Sequence, residues 1–276
     1  MQYQYQMNRQ MKEKPVHAIS ERTSAYRRLS MLGFEMVRGG HNFYALLEFD
    51  VTDLRKALRE HRRQGRGASL FSFILKTIGM CLREYPEFNS MINVRRKTTF
   101  SEVDISIPIE VMNNEAIYNK QYIIRNIDNK TVEAIDAEMS RAKNVTGEEQ
   151  SYIASKWGQR LIASLPKALF LWIFRRIMKS HRLVKKYSGT AFATSVSMFT
   201  NAPGFVIPYA GGPKAVSFAV GSVVKKPVVK GDEIQIREIA NITAVFNHDL
   251  VDGAPAARFI NRLRRYIEQD YKELIE

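Results

Sequence analysis

Asn247-His248-Asp249-Leu250-Val251-Asp252-Gly253 decides how this chain is read, because it puts a histidine where a strand hands over to a helix. Before it, Ile242-Thr243-Ala244-Val245-Phe246 is a β-branched and aromatic run that reads as a buried strand. After it, Ala254-Pro255-Ala256-Ala257 opens a helix. Its apolar residues Ala256, Phe259, Ile260, Leu263 and Ile267 keep the spacing of a single helical face. Pro255 suits a first turn, and Asp252 is placed to satisfy the free N–H groups there. A lone histidine is more often a core or turn residue. A short connection between two rigid elements, however, holds a proton-transfer group in a fixed place.

Further out, Lys225-Lys226-Pro227-Val228-Val229 and the turn Lys230-Gly231-Asp232 read as a hairpin before the last strand. Residues 42 to 51 alternate as a strand, and residues 53 to 64 read as an Arg-rich surface helix stopped by Gly65-Arg66-Gly67. Ser69 caps a buried helix through Arg83, with Leu70, Phe73, Ile74, Thr77, Ile78 and Cys81 on its apolar face. Short strands are expected near 91 to 98 and 102 to 111, then a turn at Asn113-Asn114 and a strand from Tyr118 to Ile127. Thr131 caps a helix with Val132, Ile135 and Met139 inward, and strands resume from Thr190. The expected fold is α/β: a two-layer sandwich, a mixed β-sheet with helices mainly on one face.

The 276 residues read as a flexible segment over 1–24 and a single domain over 25–276, with a basic helical insertion at about 148–187. Residues 1–24 are rich in Gln, Lys and Arg and lack the apolar core of a signal peptide. The one cysteine, Cys81, excludes an internal disulfide and fits a reducing cytoplasm. On the apolar face of its helix it reads as a packed thiol rather than a nucleophile.

The spacing of His248, Asp252 and Gly253, H-x-x-x-D-G, resembles the active-site motif of the chloramphenicol acetyltransferase superfamily. It is most similar to the catalytic core of the dihydrolipoyl acyltransferases of 2-oxoacid dehydrogenase complexes. Other segments resemble that family in order: Phe43 to Val51, Tyr85-Pro86-Glu87-Phe88-Asn89, Phe100 to Ile105, Gly189 to Phe199, and the hairpin around Gly231. The resemblance covers roughly residues 25 to 276 and is poor between about 145 and 187.

It implies a coenzyme A-dependent acyltransferase with acyl-CoA as substrate, no metal, no covalent acyl-enzyme and no covalent lipoyl group. His248 is then the general base. Thr194 supplies the hydroxyl that holds the oxyanion, with Ser195 taking that role if the register is off by one. Asp252 fixes the loop through a buried Arg or the next helix N-terminus, and Gly253 allows a positive φ or close packing. Phe43 and Tyr44 correspond to positions lining the acceptor end of the channel. The family forms trimers, so a homotrimer with the channel between subunits is expected. Two departures stand out. Asp249 replaces the usual Arg after the histidine, and no lipoyl-lysine motif is present, which reads as a free-standing enzyme. A peptide-condensation domain usually has a second His where this chain has Asn247. The competing class is a non-catalytic trimeric scaffold or membrane-surface adaptor that kept the fold.

The net charge is +14, and between Glu149 and Asp232 there are thirteen Lys or Arg and no acidic residue. An anionic membrane surface and the phosphates of coenzyme A both fit this charge. Nucleic acid fits poorly, because no recognised binding module accompanies it. The segment from Glu148 to Lys186 reads as helical, and at its centre Ala168-Leu169-Phe170-Leu171-Trp172-Ile173-Phe174 is apolar all round. It is too short for a bilayer span, which needs about 20 residues. It reads either as an element lying on a membrane, peripheral to the cytoplasm, or as a helix buried against the sheet or a neighbouring subunit, with Trp172 and Phe174 covered.

Overall fold

The computed structural model describes residues 25–36, 40–93, 95–112, 117–144, 164–199, 202–209 and 212–275. Helix α1 (Ala25–Met36) is followed by β1 (Asn42–Asp50), α2 (Thr52–Arg63) and α3 (Leu70–Glu84). A 3-10 turn, Pro86–Phe88, leads to β2 (Ser90–Asn93), β3 (Arg96–Thr99), β4 (Ile105–Met112), β5 (Ile117–Ile124) and α4 (Val132–Asn144). Then come α5 (Lys167–Met178), α6 (His181–Ser188), β6 (Ala191–Ser195), β7 (Val216–Lys230) and β8 (Glu233–Asn247). Helices α7 (Gly253–Glu268) and α8 (Tyr271–Ile275) follow.

Local chemistry sets most boundaries. Ser69 and Ser72 form a reciprocal capping box, with Ser72 N donating to Ser69 Oγ at 3.1 Å and Ser69 N to Ser72 Oγ at 2.9 Å. Thr131 Oγ1 accepts from Ala134 N at 3.2 Å, the expected cap of α4. Two expectations need correction. The strand placed near 91–98 is a hairpin of β2 and β3. The strand placed over 118–127 stops at Ile124, because Asn126 takes a left-handed φ of 48° and starts a 3-10 turn. The Asn113-Asn114 turn lies outside the described residues.

The main sheet has six strands in the order β1-β8-β7-β6-β4-β5. The β4–β6 and β6–β7 pairs are parallel and the others antiparallel, so the sheet is mixed as expected. Alternation sends Ile105, Ile107, Ala191, Ala193, Val216, Phe218, Ile242, Ala244 and Phe246 to one face. There they share a core with Phe73 and Ile78 of α3, Ile135 of α4, and Phe259 and Leu263 of α7. A fully buried side chain of this size contributes about 1.5–3 kcal/mol. This places the helical layer on one side of the sheet, and Phe259 of α7 packs against Phe246 near the end of β8.

The apolar centre of α5 is not packed beneath the sheet. Only Phe170 is buried, Phe174 is half-buried, and Trp172 is 65% exposed. Helix α5 packs on α1 instead, with Lys167 Nζ 2.8 Å from Glu35 Oε1.

Candidate active site

The motif turn is held by backbone bonds on both sides. Asn247 N donates to Ala215 O at 2.9 Å, and His248 N donates to His41 O at 2.7 Å, extending the pairing of β8 with β1 by one residue. Leu250 N and Val251 N both donate to Asn247 O, at 3.0 and 3.1 Å, and Asp249 N donates to Asn247 Oδ1 at 3.0 Å. Asn247 is thus the hub of the turn, and it is buried. The His248 ring lies edge-on to Phe43 at 5.1 Å. Phe43 stacks on Phe246 at 5.2 Å, and Phe246 meets Phe88 and Phe259 in the core. An imidazole standing on this aromatic wall is oriented from below, while its side chain stays 54% exposed.

Asp252 behaves differently from the sequence expectation. It occupies the N-cap position of α7 but makes no side-chain capping bond, and no Arg pairs with it among the described residues. Its Oδ1 lies 3.4 Å from His248 Nδ1, the i, i+4 partner across the turn. Gly253 likewise needs no special backbone: its φ is not positive, and a Cβ there would meet nothing within 4 Å. Asp249, the departure from the family pattern, points away from His248, its Oδ1 lying 2.9 Å from His41 Nδ1.

Thr194 sits on β6, whose start is fixed by a tight junction. Thr190 N and Ala191 N both donate to Asp104 O, at 2.6 and 3.1 Å, and Asp104 N donates to Thr190 Oγ1 at 3.1 Å. The buried Asp104 carboxylate in turn accepts from Arg125 Nη1 at 2.8 Å and Asn126 N at 3.1 Å. The Lys214 amine donates to the Ser188 carbonyl, and its burial pushes its pKa down to about 7. Ala193 faces the core, so alternation turns Thr194 to the opposite face of the sheet, half-buried. Ser195 turns the other way, with its Oγ 2.9 Å from Ser197 Oγ.

The register separates Thr194 from His248 within one chain. Thr194 pairs with Ala219, which pairs with Thr243, five residues before His248 on β8. With a rise of about 3.3 Å per residue and about 4.8 Å between strands, the two are roughly 19 Å apart. Phe43 and Tyr44 are divided as well. Phe43 packs on the core side against His248, whereas Tyr44 emerges, exposed, on the other face. Among the described residues no group of three or more His, Cys, Asp or Glu is arranged to hold a metal ion.

Residues 38–151 and 188–275 match the catalytic domain of the 2-oxoacid dehydrogenases acyltransferase family. The chain belongs to this family. One curated relative is the lipoamide acyltransferase component of the branched-chain alpha-keto acid dehydrogenase complex of Bacillus subtilis, 25% identical over 82% of this chain and 46% of the relative. The chain therefore spans about half the length of the curated relatives it matches. Two solved structures share the fold, each with a TM-score of 0.68. A probable dihydrolipoamide acetyltransferase from Listeria monocytogenes is 19% identical, covering 94% of this chain and 99% of that one. The dihydrolipoamide acetyltransferase of Azotobacter vinelandii is 16% identical, covering 94% and 97%.

All of the expected site residues, His248, Asp252, Thr194, Ser195, Phe43 and Tyr44, fall within the acyltransferase-family segments, whereas α1 and α5 lie outside them. The sequence reading missed His41 and the structural part played by Asn247. His41 carries no local signal, since only the β1–β8 register brings it to the turn. Asp104, by contrast, lay inside the Phe100–Ile105 segment already singled out.

Proposed function

We propose that this chain catalyses transfer of an acyl group between coenzyme A and a thiol, hydroxyl or amine acceptor, with His248 as general base. The observation that carries this reading is the His248 ring itself, set edge-on against Phe43 with Asp252 3.4 Å from its Nδ1, yet open to a reactant. A proton on Nδ1 facing Asp252 leaves the Nε2 lone pair free. Nε2 takes the acceptor's proton as the acceptor attacks the thioester carbonyl. The carbonyl electron pair moves to oxygen, and the Thr194 hydroxyl donates to that oxyanion. Collapse of the adduct expels coenzyme A thiolate, which recovers the proton from the imidazolium, so no nucleophile of the protein is consumed.

The roughly 19 Å between Thr194 and His248 in one chain supports a homotrimer, the assembly implied by the family resemblance, in which one subunit's Thr194 faces its neighbour's His248. Work on the Azotobacter vinelandii enzyme addressed the catalytic role of a serine, a histidine and an asparagine four residues after the histidine. Asp252 has that spacing from His248 here. The free, buried Cys81 supports action in a reducing compartment.

The test is release of coenzyme A thiol from acetyl-coenzyme A in the presence of thiols, alcohols and amines, with the acylated product weighed by mass spectrometry. His248→Ala is expected to lower the rate by at least about 10²-fold with the fold intact. Near-normal turnover by that variant, or no transfer to any acceptor by the wild type, would reject the reading and leave a non-catalytic scaffold.

A further inference from the structure

The face of α5 that looks away from the protein is built from two kinds of residue. With 3.6 residues per turn, Arg175, Ala168, Lys179, Trp172, Arg176, Leu169 and Ile173 occupy an arc of roughly 160°. All of them are exposed. Three are large apolar side chains and three are cations, and none is acidic. Among the described residues no carboxylate lies within ion-pair distance of Arg175, Arg176 or Lys179.

Helix α1, packed on α5, carries exposed Met31 and Phe34, and exposed Tyr209 packs edge-on to Phe34 at 5.3 Å and donates to Phe34 O at 2.9 Å. No described helix is long and apolar enough to cross a bilayer. An amphipathic surface of this make-up, with tryptophan at its centre and Lys or Arg around it, matches the interfacial layer of a membrane.

A protein partner would bury unpaired Arg and Lys unless it supplied carboxylates, whereas an anionic bilayer supplies phosphates and an apolar layer together. Both helices also lie outside the segments matched by the acyltransferase family.

We propose that the α5–α1 face docks the protein onto an anionic bilayer. Trp172, Leu169 and Ile173 enter the interfacial layer, and Arg175, Arg176 and Lys179 pair with lipid phosphates.

The experiment is flotation of the full chain with phosphatidylglycerol vesicles and with phosphatidylcholine vesicles, alongside fluorescence of a Trp157→Phe protein that keeps Trp172 as its sole tryptophan. Binding to phosphatidylglycerol, a blue shift of Trp172, and loss of both at high salt are expected. Arg175→Gln with Arg176→Gln should weaken the partition roughly 30-fold, about fivefold per charge at an anionic leaflet. Trp172→Glu with Ile173→Glu, at exposed positions that the fold does not need, should abolish binding while circular dichroism is unchanged. Three results would overturn the proposal: no flotation of the wild type, undiminished flotation of the Trp172→Glu, Ile173→Glu protein, or a fall in its oligomeric mass without lipid. The last would make the face a contact between copies.

Discussion

Gly189, at the junction from α6 to β6, sets where the strand carrying Thr194 begins, and Gly189→Ala tests that directly. Its φ is 66°, and a Cβ there would lie 2.6 Å from Asp104 O, a backbone atom that already accepts from Thr190 N and Ala191 N. With ψ at −177° this is an extended positive-φ conformation that essentially only glycine adopts, costing another residue about 1–3 kcal/mol. Forcing a methyl against fixed backbone adds about 1–3 kcal/mol, for a total near 2–6 kcal/mol. Gly65→Ala is the control: its φ is 81° but nothing lies within 4 Å, so only the conformational cost of about 1–2 kcal/mol remains. Gly253→Ala should be neutral within about 0.5 kcal/mol, since it meets neither obstacle. Urea unfolding followed by circular dichroism at one protein concentration reads all three. If Gly189→Ala shifts the midpoint no further than Gly65→Ala, the junction does not constrain β6 as described.

Two other outcomes follow from the same structure. Burial raises the pKa of Asp50, but hydrogen bonds from Thr52 and Arg237 outweigh it. Hydrogen bonds from Arg237 hold Asp53 low, so both carboxyls titrate below their usual 3.8. Their stabilisation is present above that value and lost as pH falls through the folded-state pKa values. Arg237→Met should therefore destabilise more at pH 7 than at pH 3, and equal losses at both would contradict the pairing. Burial pushes the Cys81 thiol well above the usual range. It should resist a soluble disulfide reagent in the native protein and react in urea, and rapid native labelling would refute its packing.

What could be read from the chain was what neighbouring residues decide between them. The Ser69 cap, the 3.6-residue face from Ala256 to Ile267 and the turn at Gly231 are all local, and all appear as expected. The misreadings fall where a distant partner chooses. Asp249 could not be placed because its partner His41 is 208 residues away and is delivered only by the β1–β8 register. Asp252 was expected to cap α7, but the i, i+4 geometry of the turn brings it to His248 instead. Of the readings open for the apolar centre of α5, burial beneath the sheet is removed, since no element of the described chain covers Trp172. Phe43 and Tyr44 were taken together, and the pleat sends them to opposite faces.

The proposed mechanism needs His248 of one subunit beside Thr194 of the next, and subunit complementation measures that. His248→Ala and Thr194→Val proteins, each inactive alone, are to be unfolded, mixed in equal amounts, refolded together and assayed for acyl transfer. Random assembly places an intact histidine opposite an intact threonine at one contact in four, so about a quarter of wild-type activity should return. If each variant is inactive and the mixture is too, despite regaining the wild-type mass, the site does not lie between subunits.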